Sequence, residues 1–217
     1  MFKLQEGVYL SPTAAGAYYL AANQKKDASR QFLMSLMTGD ESPLLNEAAL
    51  ARWSHAQPDE DISELIYRLQ ELGLIQGENT PHHPPAGSLE DVLPPLLVQL
   101  SSNEKALLSD AQGLYLATAG FPHEAAEELS ALSADLADLH TRHKGLLEGN
   151  LGFSTSNWGL IDASGNSQLG LWPLYIGEYR FVLVIAGMPQ LNQAQFTDLV
   201  WLLSRRYGTN SSTLEKF

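Results

Sequence analysis

The 217-residue sequence contains no cysteine, which removes disulfides, thiolate metal ligands and cysteine nucleophiles from consideration. Positive charge is also scarce: 13 Lys and Arg face 25 Asp and Glu, for a formal charge of −12. A surface of that sign repels phosphate backbones and argues against a nucleic-acid partner. The acidic excess is shared by both halves of the chain, so neither reads as a basic recognition module. No apolar run reaches the roughly 18–20 residues that span a bilayer, and the start, MFKLQEGVYLSPT, has no long apolar core of the kind a secretion signal carries. A cytoplasmic protein without membrane insertion is therefore expected. The glycines do not fall into a P-loop or Rossmann spacing, and neither a zinc pattern nor a nucleophile elbow is present.

With 44% hydrophobic residues, the chain is long enough for two domains, each with its own core. The composition breaks at Gly77 to Gly87, GENTPHHPPAG, where proline and polar residues replace apolar periodicity. The expected division is a first domain over 1–77, a linker over 78–87, a second domain over 88–207 and a flexible tail over 208–217. His82 and His83 lie in the linker, and adjacent histidines without a third ligand do not make a metal site.

In the first domain, Val8-Tyr9-Leu10 reads as a short strand and Ala14 to Ala22 as a helical segment. Asp27 can cap a helix running to about Met37, Leu45 to Trp53 gives another, and Pro58 to Leu72 gives a third, with Ile62, Leu65, Ile66 and Leu69 at helical spacing. Three short helices ending in ELGLI resemble a winged helix, in whose DNA-binding members the third helix enters the major groove. Here that helix carries Asp59, Glu60, Asp61, Glu64 and Glu71 against one arginine, Arg68. Its charge suits a protein-docking module rather than DNA readout.

In the second domain, Ser88 with Asp91 marks a helix start. Pro94-Pro95 is expected to interrupt that helix, which restarts over Leu96 to Leu100. Ala106 to Leu108 and Leu114 to Thr118 are strands joined by a hairpin-type turn. Asn157 to Ala163, Gln168 to Leu174 and Arg180 to Gly187 supply three more, and the apolar FVLVIAG reads as a central strand covered on both faces. Asn192 and Gln195 form a capping-box-like pair before a last helix striped with Phe196, Leu199, Val200 and Leu203.

The long helix from Glu124 to His143 carries two adhesive faces. On a wheel advancing about 100° per residue, Ala125, Leu129, Leu132, Leu136 and Leu139 cluster, and Ala126, Ser130, Ser133 and Ala137 form a second stripe roughly 110° away. The leucine ridge is expected to pack on the sheet, and the small-residue stripe to admit a second backbone, as an antiparallel helix pair requires. Glu124, Glu127, Glu128, Asp135 and Asp138 fill the solvated sector.

The order helix, two strands, helix, three strands, helix, with LLSDAQGLYLATAG before EAAEELSAL, resembles the Roadblock/dynein-light-chain family, including its bacterial gliding-motility polarity regulators. The resemblance covers about residues 88–207 and implies an α+β fold: a five-stranded antiparallel sheet with flanking helices. It further implies a non-catalytic homodimer, paired through the central helices and the strands that follow, that binds Ras-like small GTPases as a scaffold or activator. In this sequence the dimer elements would be Glu124 to His143 and Asn157 to Ala163, giving Ala126, Ser130, Ser133, Ala137, Trp158 and Leu160 as the candidate interface.

Nothing in the sequence assembles a catalytic, cofactor or metal site. His140 and His143 share a helix face at i, i+3 without a third ligand, and Asp135 and Asp138 lie where nothing raises a carboxyl pKa. Trp158 and Trp172 are strand tryptophans of the kind found in cores and at interfaces. The expected function is a dimeric adaptor that docks a small GTPase or related signalling partner, with the winged-helix-like domain recruiting a further protein. The alternative is a dimeric transcriptional regulator with a DNA-binding winged helix.

Overall fold

The computed structural model describes residues 7–208, so the tail expected over 208–217 lies, beyond Gly208, outside the described residues. The first part of the chain runs β1 (Tyr9–Pro12), α1 (Ala14–Ala21), α2 (Ala28–Leu36), α3 (Glu47–Ala56), α4 (Ile62–Glu71) and β2 (Ile75–Glu78). Each helix starts where a side chain accepts an otherwise orphaned N–H. Thr13 takes Gly16 N at 3.1 Å, Asp27 takes Arg30 N at 2.9 Å, and Asn46 takes Ala49 N at 2.8 Å. Asp61 takes Ser63 N and Glu64 N at 3.0 and 3.1 Å. Such caps contribute about 0.5–2 kcal/mol each. The double cap at Asp61 explains why α4 begins at Ile62 rather than at Pro58.

Strands β1 and β2 pair antiparallel, Tyr9 opposite Glu78 and Pro12 opposite Ile75, so the two ends of this part close on each other around four helices. After α4 stands the single strand β2, not a hairpin. Gly16 on α1 lies hard against the chain entering β2: a Cβ there would sit 1.9 Å from the Leu74 carbonyl oxygen. Only glycine permits that approach.

The second part runs α5 (Leu89–Gln99), β3 (Ala106–Asp110), β4 (Tyr115–Ala119), α6 (His123–Arg142), a π-helical segment (Gly145–Asn150), β5 (Trp158–Ile161), β6 (Ser167–Ile176), β7 (Tyr179–Ala186) and α7 (Ala194–Tyr207). The strands form one antiparallel sheet in the order β4-β3-β7-β6-β5. The fold is α+β, and its second part has the Roadblock-like succession of helices and strands. FVLVIAG is indeed central: β7 lies between β3 and β6, with Phe181 to Ile185 all buried.

Two local expectations are corrected. Helix α5 runs unbroken through Pro94-Pro95, which stand at its middle, and Leu93, Leu96, Leu97 and Leu100 stay buried along one side. Prolines remove intrahelical N–H bonds, and packing here outweighs that loss. Helix α7 forms no capping box, since its N-cap is Gln193, which makes no side-chain cap bond.

One apolar cluster joins both parts of the chain. Leu10, Phe32, Leu33 and Ile66 from the first belong to the same buried set as Leu97, Phe181, Leu183, Ile185, Phe196 and Trp201 from the second. Helices α5 and α7, with α1, cover this face of the sheet. A fully buried side chain of this size stabilises by about 1.5–3 kcal/mol. The Gly77–Gly87 segment is pinned along its course. His82 exchanges backbone and hydroxyl hydrogen bonds with Ser42 at 2.8 and 2.9 Å, and its Nε2 lies 2.8 Å from Asp198 Oδ1. Its ring lies 5.5 Å from that of Trp201.

Candidate protein-interaction surface

Helix α6 covers the opposite face of the sheet, over a smaller cluster of Leu107, Leu171, Val182 and Val184. The faces of α6 are exchanged relative to the sequence expectation. Ala126, Ser130, Ser133 and Ala137 are 0%, 0%, 1% and 5% exposed, against the chain's own sheet. The leucine ridge is split instead: Leu132 and Leu139 are 44% and 37% exposed, while Leu129 and Leu136 are half-buried and pack against the cluster from its margin.

The reason lies in the strands beneath. β3 and β7 already present branched side chains, and β3 presents Ser109 at the point nearest the helix. Small helix residues let the backbone come close enough for Ser133 Oγ to lie 2.8 Å from Ser109 Oγ. Each hydroxyl also has a carbonyl to donate to, Ser133 that of Ser130 at 2.8 Å and Ser109 that of Val182 at 3.4 Å, so either can be the donor between them. Ser130 in turn donates to the Ala126 carbonyl at 2.7 Å. The β3–β4 turn presses on the same helix, where a Cβ on Gly113 (φ +83°) would sit 3.1 Å from Ala131 Cα.

Trp158 and Leu160 stand on β5, which pairs only with β6 and forms one edge of the sheet. Trp158 is half-buried in the cluster under α6, with its ring 6.2 Å from that of His140. Leu160 shares its parity along the strand and therefore its face, but it lies beyond the helix and is 64% exposed. Exposed leucines on α6 and exposed Leu160 on β5 thus lie on elements that meet at the His140–Trp158 ring contact. Leu146, Leu151 and Phe153, which follow α6, add further exposed apolar groups.

The histidines have local roles. His123 Nδ1 bonds the Tyr115 hydroxyl at 2.7 Å and its Nε2 lies 3.4 Å from Glu127. Buried His140 faces Glu148 at 3.8 Å, and His143 is exposed. Asp138 pairs with Arg180 at 2.9 Å. Trp172 lies across Gly170, whose added Cβ would meet the indole at 2.1 Å. No group of three or more metal-ligating side chains occurs among the described residues. No helix there is long and apolar enough to cross a membrane.

These features define a Roadblock-like α+β platform with an uncovered helix face and a free strand edge. No protein-family model matches the chain, and a comparison with curated proteins finds no match. Among solved structures, it is similar to the Roadblock/LC7 domain from Streptomyces avermitilis at 18% identity, over 47% of this chain and 78% of that one, with a TM-score of 0.29. It is similar to Myxococcus xanthus MglB at 19% identity, over 48% and 77%, with a TM-score of 0.28.

Proposed function

We propose that this protein is a homodimeric, non-catalytic adaptor whose second part self-associates and docks a Ras-like small GTPase or related signalling partner. The first part, read as a winged-helix-like docking module, recruits a further protein. The observation that carries this reading is the exposure of Leu132 and Leu139 on α6 together with the edge position of β5 in the sheet. Leu132, Leu139, Trp158 and Leu160 form the self-association surface in this reading, and Ala126, Ser130, Ser133 and Ala137 hold α6 to its own sheet. The GTPase partner is supported by the family resemblance of residues 88–207. Readout of DNA by α4 finds no support, because Glu64 and Glu71 accompany Arg68 on its exposed side.

Light scattering after size exclusion tests the dimer at micromolar concentration. The wild-type chain is expected at twice its 23.8 kDa mass, and Leu139→Arg is expected as a folded monomer with unchanged circular dichroism. A wild-type monomer would remove the reading. Affinity purification from the native cell with the full chain as bait is expected to enrich a small GTPase in one nucleotide state, and enrichment independent of nucleotide would count against a regulatory role.

A further inference from the structure

Between the α1–α2 connection, the start of α2 and the β6–β7 turn lies a cavity of about 300 Å³. Leu20, Met34 and Tyr175 give it an apolar floor, and Lys25, Lys26 and Arg30 give it a cationic wall. In a chain with nearly twice as many acids as bases, three cations around one cavity are not what composition alone would place there. Arg30 is only 8% exposed. Its guanidinium stacks 4.1 Å from the centre of the Tyr19 ring and pairs with Asp27, yet its Nε is buried without a hydrogen-bond partner. A buried donor without an acceptor is costly, and Arg30 is one of the residues that line the cavity.

The other charges narrow the ligand. Lys26 is held by Glu178 at 2.7 Å, an ion pair that ties the α1–α2 connection to the β6–β7 turn. Lys25 makes no ion pair among the described residues. Among the described residues, with Glu178 and Asp27 nearby, the wall offers little more than one uncompensated positive charge, which suits a monoanion and disfavours a dianion. The volume is at the small end of ligand pockets, with room for about a dozen non-hydrogen atoms.

We propose that this cavity binds a small amphipathic monoanion, with its carboxylate on Lys25 and Arg30 and its aliphatic body on Leu20, Met34 and Tyr175. Titration calorimetry on the full chain tests this with three probes: octanoate, octanol for the body alone and acetate for the charge alone. Octanoate is expected to bind at least about ten-fold more tightly than either fragment, and Lys25→Gln to weaken octanoate about ten-fold without changing octanol. Because Arg30 is buried and its loss risks misfolding, Lys25 is the diagnostic position. Octanoate binding no tighter than acetate, or unaffected by Lys25→Gln, would overturn the site. So would octanoate binding that is lost in Leu139→Arg, since the ligand would then be adhering to the α6 surface.

Discussion

The two faces of the five-stranded sheet are closed in opposite ways. One is sealed by bulky groups, with Phe196, Trp201 and Leu203 of α7 and Leu93 and Leu97 of α5 fully buried over Phe181, Leu183 and Ile185. The other is sealed by a helix that touches the sheet with alanine and serine, over Leu107, Val182 and Val184. The first arrangement buries large side chains from both layers and leaves little behind. The second brings backbones close through small residues and turns two of its own leucines outward. A helix held this way leaves Leu132 and Leu139 uncovered on its far side.

The comparison can be broken most sharply at Ser133. An arginine there has no route to solvent, and a buried unpaired charge is expected to cost about 3–5 kcal/mol. Ser133→Arg should therefore lower the thermal midpoint steeply, whereas an unchanged midpoint would show that the small stripe does not face the sheet. On the bulky side, Trp201→Ala removes a fully buried indole and its 3.1 Å bond to the Gly39 carbonyl, at about 3–5 kcal/mol by denaturant titration. A gentler probe is Ser109→Ala, which leaves Ser133 with one partner fewer and is expected to cost about 1 kcal/mol. The double change to alanine at 109 and 133 should cost less than the sum of the singles, because no hydroxyl is then stranded.

The smallest expected effect lies at the β5–β6 turn, outside both cores. The Asn166 amide and side chain, helped less by the Ser164 amide and the Gln168 side chain, hold the Asp162 carboxyl below its ordinary value, against an opposing desolvation that outweighs either of the last two alone. A lowered folded pKa means that this contribution is present above the unfolded pKa and is lost as pH falls through the folded one. The Ser164 and Asn166 amide resonances should shift at a pH below the normal aspartate range, and Asp162→Asn should abolish that titration.

Much of this architecture is legible from residues alone. Asp27 and Ser88, read as helix starts, each accept the N–H that fixes the start, whereas the caps at Thr13, Asn46 and Asp61 emerge only in the structure. Strand alternation and turn residues locate all five strands of the sheet to within a few positions. The orientation of α6 was not legible, for a definite reason. A helical wheel gives the angle between the leucine and small-residue stripes, but which stripe turns inward depends on how much volume the strands beneath have already filled. The only local hint was Ser109, a polar residue in an otherwise apolar strand that needed a short polar partner. Pro94-Pro95 misleads in the same way, because a local rule about helix breaking was outweighed by four leucines aligned on one side of α5.

The bare edge of β5 also bears on how far association can go. Strand edges that pair in register with any like edge can keep adding copies, and a long apolar edge is an aggregation hazard. β5 has only four residues, and its register shifts at Ile161. A short edge of this kind, meeting its own copy about a two-fold axis, uses up both free edges in one event. In the proposed homodimer such pairing would occupy β5 of both copies and close that edge to further growth, with β4 left standing at the other side of the sheet.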